Sequence, residues 1–213
     1  MKIKWLGHAS FLVTSESGVR IVIDPYASDE KLRYGEIKEL ADAVTVSHDH
    51  FDHNNVGAVK GNPRVIRTTT ESKGIKFRAI PAYHDEEAGK KRGTDTLFCI
   101  DADGLTLCHL GDLGHTLTQK QIADIGKVDI LMVPVGGYYT IDARAATTVG
   151  EQLKPRVIIP MHYKTDKVSL PIVGVEDFLK GKKNVSRLDA SEVEFKAGKL
   201  PAETQIIVLK PAM

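Results

Sequence analysis

Residues 45–55 read TVSHDHFDHNN and place three histidines and two aspartates within the six positions from His48 to His53, in a chain with eight histidines. The preceding segment Ala43–Ser47, AVTVS, has the β-branched alternation of a strand, so the cluster leaves a strand end as a polar loop. His48 and His50, two apart, converge from a tight turn, whereas the adjacent Asp52 and His53 diverge. One such loop can therefore serve two cations. Imidazole and carboxylate ligands suit zinc, iron or manganese, and the lack of thiolate argues against a structural zinc knot. A solvated polar loop is the plainer alternative, but the spacing H-x-H-x-D-H is too specific for it.

Four side chains do not complete two metal sites. Three further residues each follow an apolar strand-like run: His84 in FRAIPAYHD, Asp112 in LTLCHLGD and His162 in VIIPMH. Taken singly, each reads equally well as structural. With the cluster they make two three-residue sets that share one carboxylate.

Composition fits this reading. The 213 residues are 42% hydrophobic and 27% charged, as in ordinary globular proteins. With 29 basic and 28 acidic residues the net charge is +1, and no basic stripe appears, so nucleic acid is not an expected partner. Cys99 and Cys108 are the only cysteines, which suits a reducing cytoplasm better than a disulfide framework. The opening MKIKWLGHASFLV is too interrupted for a signal segment, and no run reaches membrane-spanning length. We expect a cytoplasmic protein with a small-molecule substrate and no membrane partner; the sequence leaves the oligomeric state open.

Strand-like segments fill the first half: Lys2–Leu6, Ser10–Thr14, Val19–Asp24, Ala43–Ser47, Arg64–Arg67, Ile75–Tyr83, Thr96–Asp101 and Leu105–Leu110. DADG, 101–104, reads as a hairpin turn. The second half alternates. A helix over Thr118–Ile125 has Thr118 and Gln121 at capping-box spacing and Gly126 as its stop. Strand Ile130–Val135, helix Ala143–Leu153, strand Arg156–Pro160, helix Val175–Lys180 and strands Val193–Lys196 and Gln205–Leu209 follow. This order predicts two sheets packed face to face with helices outside, a four-layer α/β sandwich in one domain, 1–213.

The motifs together resemble the metallo-β-lactamase superfamily: VIDPY with Asp24, SHDHFDH, PAYHD, HLGDLGH, VPVGGYYTI and IIPMHYKT occur in order over most of the chain. They are most similar to the small metal-dependent hydrolases related to the L-ascorbate-6-phosphate lactonase branch. The resemblance implies an αββα sandwich of two mixed sheets with the site at one edge. It also implies that His48, His50 and His84 hold one metal and Asp52, His53 and His162 the other, with Asp112 as the bridge. His50 stands where flavodiiron relatives carry glutamate, so an oxygen-reducing centre is not expected. There is no room in 213 residues for the arm of transfer-RNA-processing relatives.

Two divalent ions about 3.5–4 Å apart, zinc ahead of manganese or iron, would activate a shared water as hydroxide towards an ester, lactone or phosphodiester. Asp52 is expected both to ligate and to accept a hydrogen bond from that hydroxide. Asp24 and His8 are candidates to support the ligands from behind, and His115, three residues past Asp112, is the candidate proton donor. His109 lies inside its strand and reads as structural. Tyr138 and Tyr139 in GGYYT, with Lys164, are candidate substrate contacts, while DEEAGKKRG, 85–93, reads as a solvated loop rather than an anion clamp, with a mobile lid as the further alternative. The competing functions are a nuclease or RNA-processing hydrolase and a noncatalytic metal sensor.

Overall fold

Apolar residues of the first strands fall alternately on two faces, and each face is covered. In the computed structural model, which describes residues 1–213, β1 (Lys2–Gly7), β2 (Ser10–Thr14), β3 (Arg20–Ile23), β4 (Ala43–Thr45), β5 (Arg64–Ile66) and β13 (Glu192–Glu194) form one sheet. Its order is β13-β1-β2-β3-β4-β5, antiparallel as far as β3 and parallel beyond. Ile3, Trp5, Phe11, Val13, Ile21 and Ile23 face the main core, whereas Leu12, Val22 and Val44 face a second cluster. Strands buried on both faces lose the apolar–polar alternation and read as continuous apolar runs.

The second sheet contains β6 (Thr70–Ser72), β7 (Ile75–Tyr83), β8 (Thr94–Ala102), β9 (Leu105–His109), β10 (Ile130–Pro134), β11 (Val157–Met161), β12 (Val185–Arg187) and β14 (Gln205–Val208). The order is β12-β14-β11-β10-β9-β8-β7-β6, with a parallel block from β12 to β9 and antiparallel pairs from β9 to β6. The main core of Trp5, Phe11, Phe77, Phe98 and their neighbours draws on both sheets. The two mixed sheets packed face to face are those anticipated from the motifs, but helices cover only one of them.

Helix α1 (Gln119–Ile125) carries the complete Thr118–Gln121 capping box, and α2 (Ala143–Leu153) matches its predicted bounds and is capped by Asp142. Helix α3 is shorter than predicted, Glu176–Leu179. α1 packs on β7, α2 on β10, and α3 on α2, so all three lie over the second sheet. Outside the first sheet the cover is irregular chain: Tyr26, Leu32, Tyr34 and Ile37 from one segment, Val168, Leu170 and Ile172 from another. The Leu32–Val168 bridge ties these two segments together. No helix is long and apolar enough to cross a membrane.

Candidate metal centre

Strand direction brings the motif residues to one rim. β1 and β3 are each antiparallel to β2, and β4 is parallel to β3, so His8, Asp24 and the 48–53 loop leave the same sheet edge. β7, β9 and β11 share one direction in the other sheet and deliver His84, Asp112 and His162. Carboxyl ends of strands are the usual location of sites in such folds. His8, Asp24 and His162 adopt positive φ, 53°, 44° and 50°. For non-glycine residues this costs on the order of 1–3 kcal/mol each, and such strain collects at functional sites.

The rim residues form overlapping groups whose ligand atoms lie within 4.8 Å of one another: His48, His50 and His84; His8, Asp52, His53 and His162; and His48, His53 and Asp112. His48 Nε2 and His50 Nδ1 are 3.0 Å apart. Asp112 touches both groups, with Oδ1 3.1 Å from His53 Nε2 and Oδ2 3.2 Å from His84 Nε2 and 3.3 Å from His162 Nε2. Zinc–nitrogen bonds of about 2.0–2.1 Å imply ligand–ligand edges of about 2.9–3.4 Å, and these separations match them.

Two histidines are oriented from behind by one carboxylate. His53 Nδ1 donates to Asp24 Oδ2 at 2.9 Å. Asp24 also accepts from the Ser47 amide at 2.8 Å and from Ser47 Oγ, which in turn lies 3.0 Å from His48 Nδ1. With their Nδ1 atoms anchored, both imidazoles present Nε2 to the cluster, the arrangement metal-binding histidines adopt. Ser47 was not singled out in the sequence, and neither was Asp95. The Asp95 side chain is fully buried with Oδ1 3.4 Å from His48 Nδ1, and neither of its oxygens has a hydrogen-bond partner. Gly111 passes directly over it; a Cβ there would stand 2.5 Å from Asp95 Oδ1.

Charge balance also calls for cations. Burial opposes ionisation of Asp112, but His162 and His53 outweigh it and hold the carboxyl well below the usual range. Burial likewise opposes a proton on His53, yet Asp112, Asp52 and Asp24 raise its pKa well above the ordinary value. His53 Nε2 and Asp112 Oδ1 are nonetheless buried without a partner in hydrogen-bond geometry. A divalent cation satisfies both demands, so the donor set fits a metal centre.

The cluster opens into a cavity of about 450 Å³. His50, Asp52, His84, Asp112 and His162 form its floor, and Phe51, Tyr139 and Leu170 form apolar wall. Tyr138 does not reach it; the side chain is 64% exposed and lines the neighbouring cavity. Lys164 is turned away as well, its ammonium donating to the Leu170 carbonyl at 2.8 Å. His115 stands apart from the cluster. Its Nε2 accepts from the Tyr83 amide at 3.2 Å and its Nδ1 donates to the Thr116 carbonyl at 2.8 Å. The chain turns it there because Gly114 packs against β7's end, its amide bonded to Tyr83 O. His109 is fully buried, its Nε2 donating to Ala9 O at 2.8 Å.

A two-sheet sandwich with a histidine–aspartate centre at the strand ends defines a class of metal-dependent enzymes. The sequence profile described as "Beta-lactamase superfamily domain" matches residues 2–162. A "UPF0173 metal-dependent hydrolase" of Carboxydothermus hydrogenoformans is 35% identical, over 82% of this chain and 89% of its own. Its counterpart in Archaeoglobus fulgidus is 31% identical, over 93% and 97%. A crystal structure from Thermotoga maritima, ascribed to the metallo-beta-lactamase superfamily, is 38% identical, covers 98% of this chain and 97% of its own, and superposes with a TM-score of 0.81. The chain belongs to the metallo-beta-lactamase superfamily and is a metal-dependent hydrolase.

Proposed function

We propose that two divalent cations, zinc ahead of manganese or iron, are held by His48, His50 and His84 and by Asp52, His53 and His162, with Asp112 between them. We propose further that the substrate is a small anionic ester, lactone or phosphodiester, and that the whole chain acts as one domain in the cytoplasm. The observation that carries this reading is the Asp112 carboxylate, within 3.1–3.3 Å of imidazole nitrogens from both groups. Ions so placed supply a water of lowered pKa and polarise a substrate oxygen. The chain's own residues do the rest. Asp24 and Ser47 fix the tautomers of His53 and His48, and His8 holds one oxygen of Asp52 at 3.1 Å. Tyr139, Phe51 and Leu170 give the cavity an apolar side. The zinc dependence suggested in the description of the Thermotoga maritima protein supports the choice of metal.

A sensor would need a closed site, and this floor is open: His50 is exposed and the cavity reaches solvent. A screen of esters, lactones, thioesters and phosphodiesters against zinc-, manganese- and iron-loaded protein, with elemental analysis, tests the reading. We expect turnover in at least one small-substrate class and about two ions per chain at saturation. A single ion at saturation, or turnover of RNA alone, would overturn it.

A further inference from the structure

Two cationic side chains stand at the mouth of this cavity without an acid to neutralise them. Arg92, on the β7–β8 loop, and Lys31, between β3 and β4, both line it. Arg92 is half-buried. One of its Nη2 protons goes to the Tyr138 carbonyl at 2.9 Å, and the guanidinium lies 5.7 Å from the centre of the Tyr139 ring. Neither neighbour is an acid, and a guanidinium has five N–H donors in a rigid fork, so most remain for a ligand. Lys91, beside it, is different: its ammonium is paired with Glu87 at 2.5 Å.

These positions are set in advance. The carboxylate of Asp85, itself buried, accepts the backbone amides of Glu87, Gly89, Lys91 and Arg92 at 2.8–2.9 Å. The segment therefore wraps around one carboxylate, and Arg92 is pinned at its backbone and its guanidinium alike. Its side chains are largely solvated, as its composition suggests, while its backbone is ordered around Asp85. On the other side, the amides of Lys31 and Leu32 donate to Asp29 Oδ1, and the Lys31 carbonyl accepts from Ser169. The Arg92 donors, held in place, bind an anion at a reduced ordering cost, whereas the exposed Lys31 side chain is anchored only through its backbone.

We infer that Arg92, assisted by Lys31, forms an anion subsite at the cavity mouth. On this inference, which rests on the hydrolase reading above, the substrate carries a carboxylate or phosphate set back from the scissile bond. The chain between the anion and the reacting carbonyl lies along Phe51, Tyr139 and Leu170. Arg92 is then a specificity residue, and Lys164, anchored elsewhere, has no part in it.

Two measurements on the zinc-loaded protein test this. In the first, esters of one phenol with butyric acid, with glutaric acid and with 4-phosphonobutyric acid are compared. The wild type is expected to favour at least one anionic ester over the butyrate by about tenfold or more in kcat/KM, carried by KM, and the better of the two identifies the anion. That preference should collapse in Arg92→Ala, return in part in Arg92→Lys and weaken in Lys31→Ala, with metal content unchanged. In the second, calorimetry compares butyrate with glutarate and 4-phosphonobutyrate as ligands, without turnover. The second anionic group should tighten binding about tenfold in wild type and not in Arg92→Ala. Equal binding of neutral-ended and anion-ended ligands by the wild type, or a preference that survives Arg92→Ala, overturns the subsite. Failure to hydrolyse any ester counts against the hydrolase reading, while the calorimetry still decides the subsite.

Discussion

Nε2 of His8 lies 3.1 Å from Oδ2 of Asp52, an interaction that spans 44 positions of chain and joins the β1–β2 turn to the histidine-rich loop. Burial, with the His162 ring tilted against it at 3.9 Å between ring centres, lowers the His8 pKa to about 4. The ring is therefore neutral at pH 7, and Nε2–H is the donor. It commits one oxygen of Asp52 and leaves the other for a ligand's role. His8→Ala is expected to weaken binding of the less tightly held ion by about 10–100-fold with the fold retained. Chelator competition measures it, and an affinity equal to wild type would remove His8 from the centre.

Asp112→Ala should reduce the metal content to one ion or fewer and abolish hydrolysis, with the far-ultraviolet dichroism unchanged. In the proposed centre the carboxylate would offset the mutual repulsion of two cations, and the strands around it are held by their own apolar packing. Full metal content and near-wild-type turnover in the variant would place the bridge elsewhere.

Asp95→Asn tests the buried carboxylate near His48. An amide keeps the volume and loses the charge that steadies an Nδ1–H proton, so metal affinity should fall about tenfold or more. The measurement is zinc titration against a chromogenic chelator. No change would mean that Ser47 alone fixes that ring.

His115→Ala should leave turnover within about threefold of wild type and metal content unaltered, because both ring nitrogens are bound to backbone outside the cavity. This reverses what its position after Asp112 suggests. A loss of 10²-fold or more, greatest for poor leaving groups, would restore it as the proton donor.

His109 gives a pH signature. Burial holds its pKa below the ordinary value, against the pull of Asp24 and the Ala9 carbonyl. Its proton is then bound more readily in the unfolded chain, so its stabilisation is complete above the unfolded pKa of about 6.5 and is lost as the pH falls below it. His109→Phe orphans Ala9 O and the Gly111 amide, which should cost about 1–3 kcal/mol at pH 8. Urea unfolding from pH 8 to pH 5 should show that gap narrowing. A gap that widens in acid would mean that the ring is charged in the native protein.

Much of the rim was legible because its signals are local. The motif from His48 to His53 is contiguous, and His84, Asp112 and His162 each end an apolar run that must be a strand. Asp95 and Ser47 were not legible. Asp95 lies in GTDTLFCI, where an aspartate reads as solvent-facing; only the Ala82–Asp95 register of β7 and β8 buries it. Arg92 and Lys31 come to one cavity through tertiary structure alone, and the order of the 85–93 loop comes from an Asp85 carboxylate that sequence spacing does not reveal. The strands Thr70–Ser72 and Val185–Arg187 went unread because each is three residues at a sheet edge, too short for a period to show. The outer cover of the first sheet has apolar residues without a period, which is why it forms no helix.

The proposed ligands divide between the two sheets: His48, His50, Asp52 and His53 leave β4 in one, and His84, Asp112 and His162 leave β7, β9 and β11 in the other. This division sets an order of events during folding. A chain that has formed only β1 to β5 of the first sheet carries the motif but has not yet placed the third ligand of either set, His84 or His162, and can hold an ion only loosely. Tight uptake waits until residues more than a hundred positions apart, His48 and His162 among them, have docked, and contacts of that separation form late. Once taken up, the ions favour the docked state by mass action. In a refolding experiment the capture of zinc would then act as a clock for sheet-to-sheet docking, its onset trailing the appearance of strand signal.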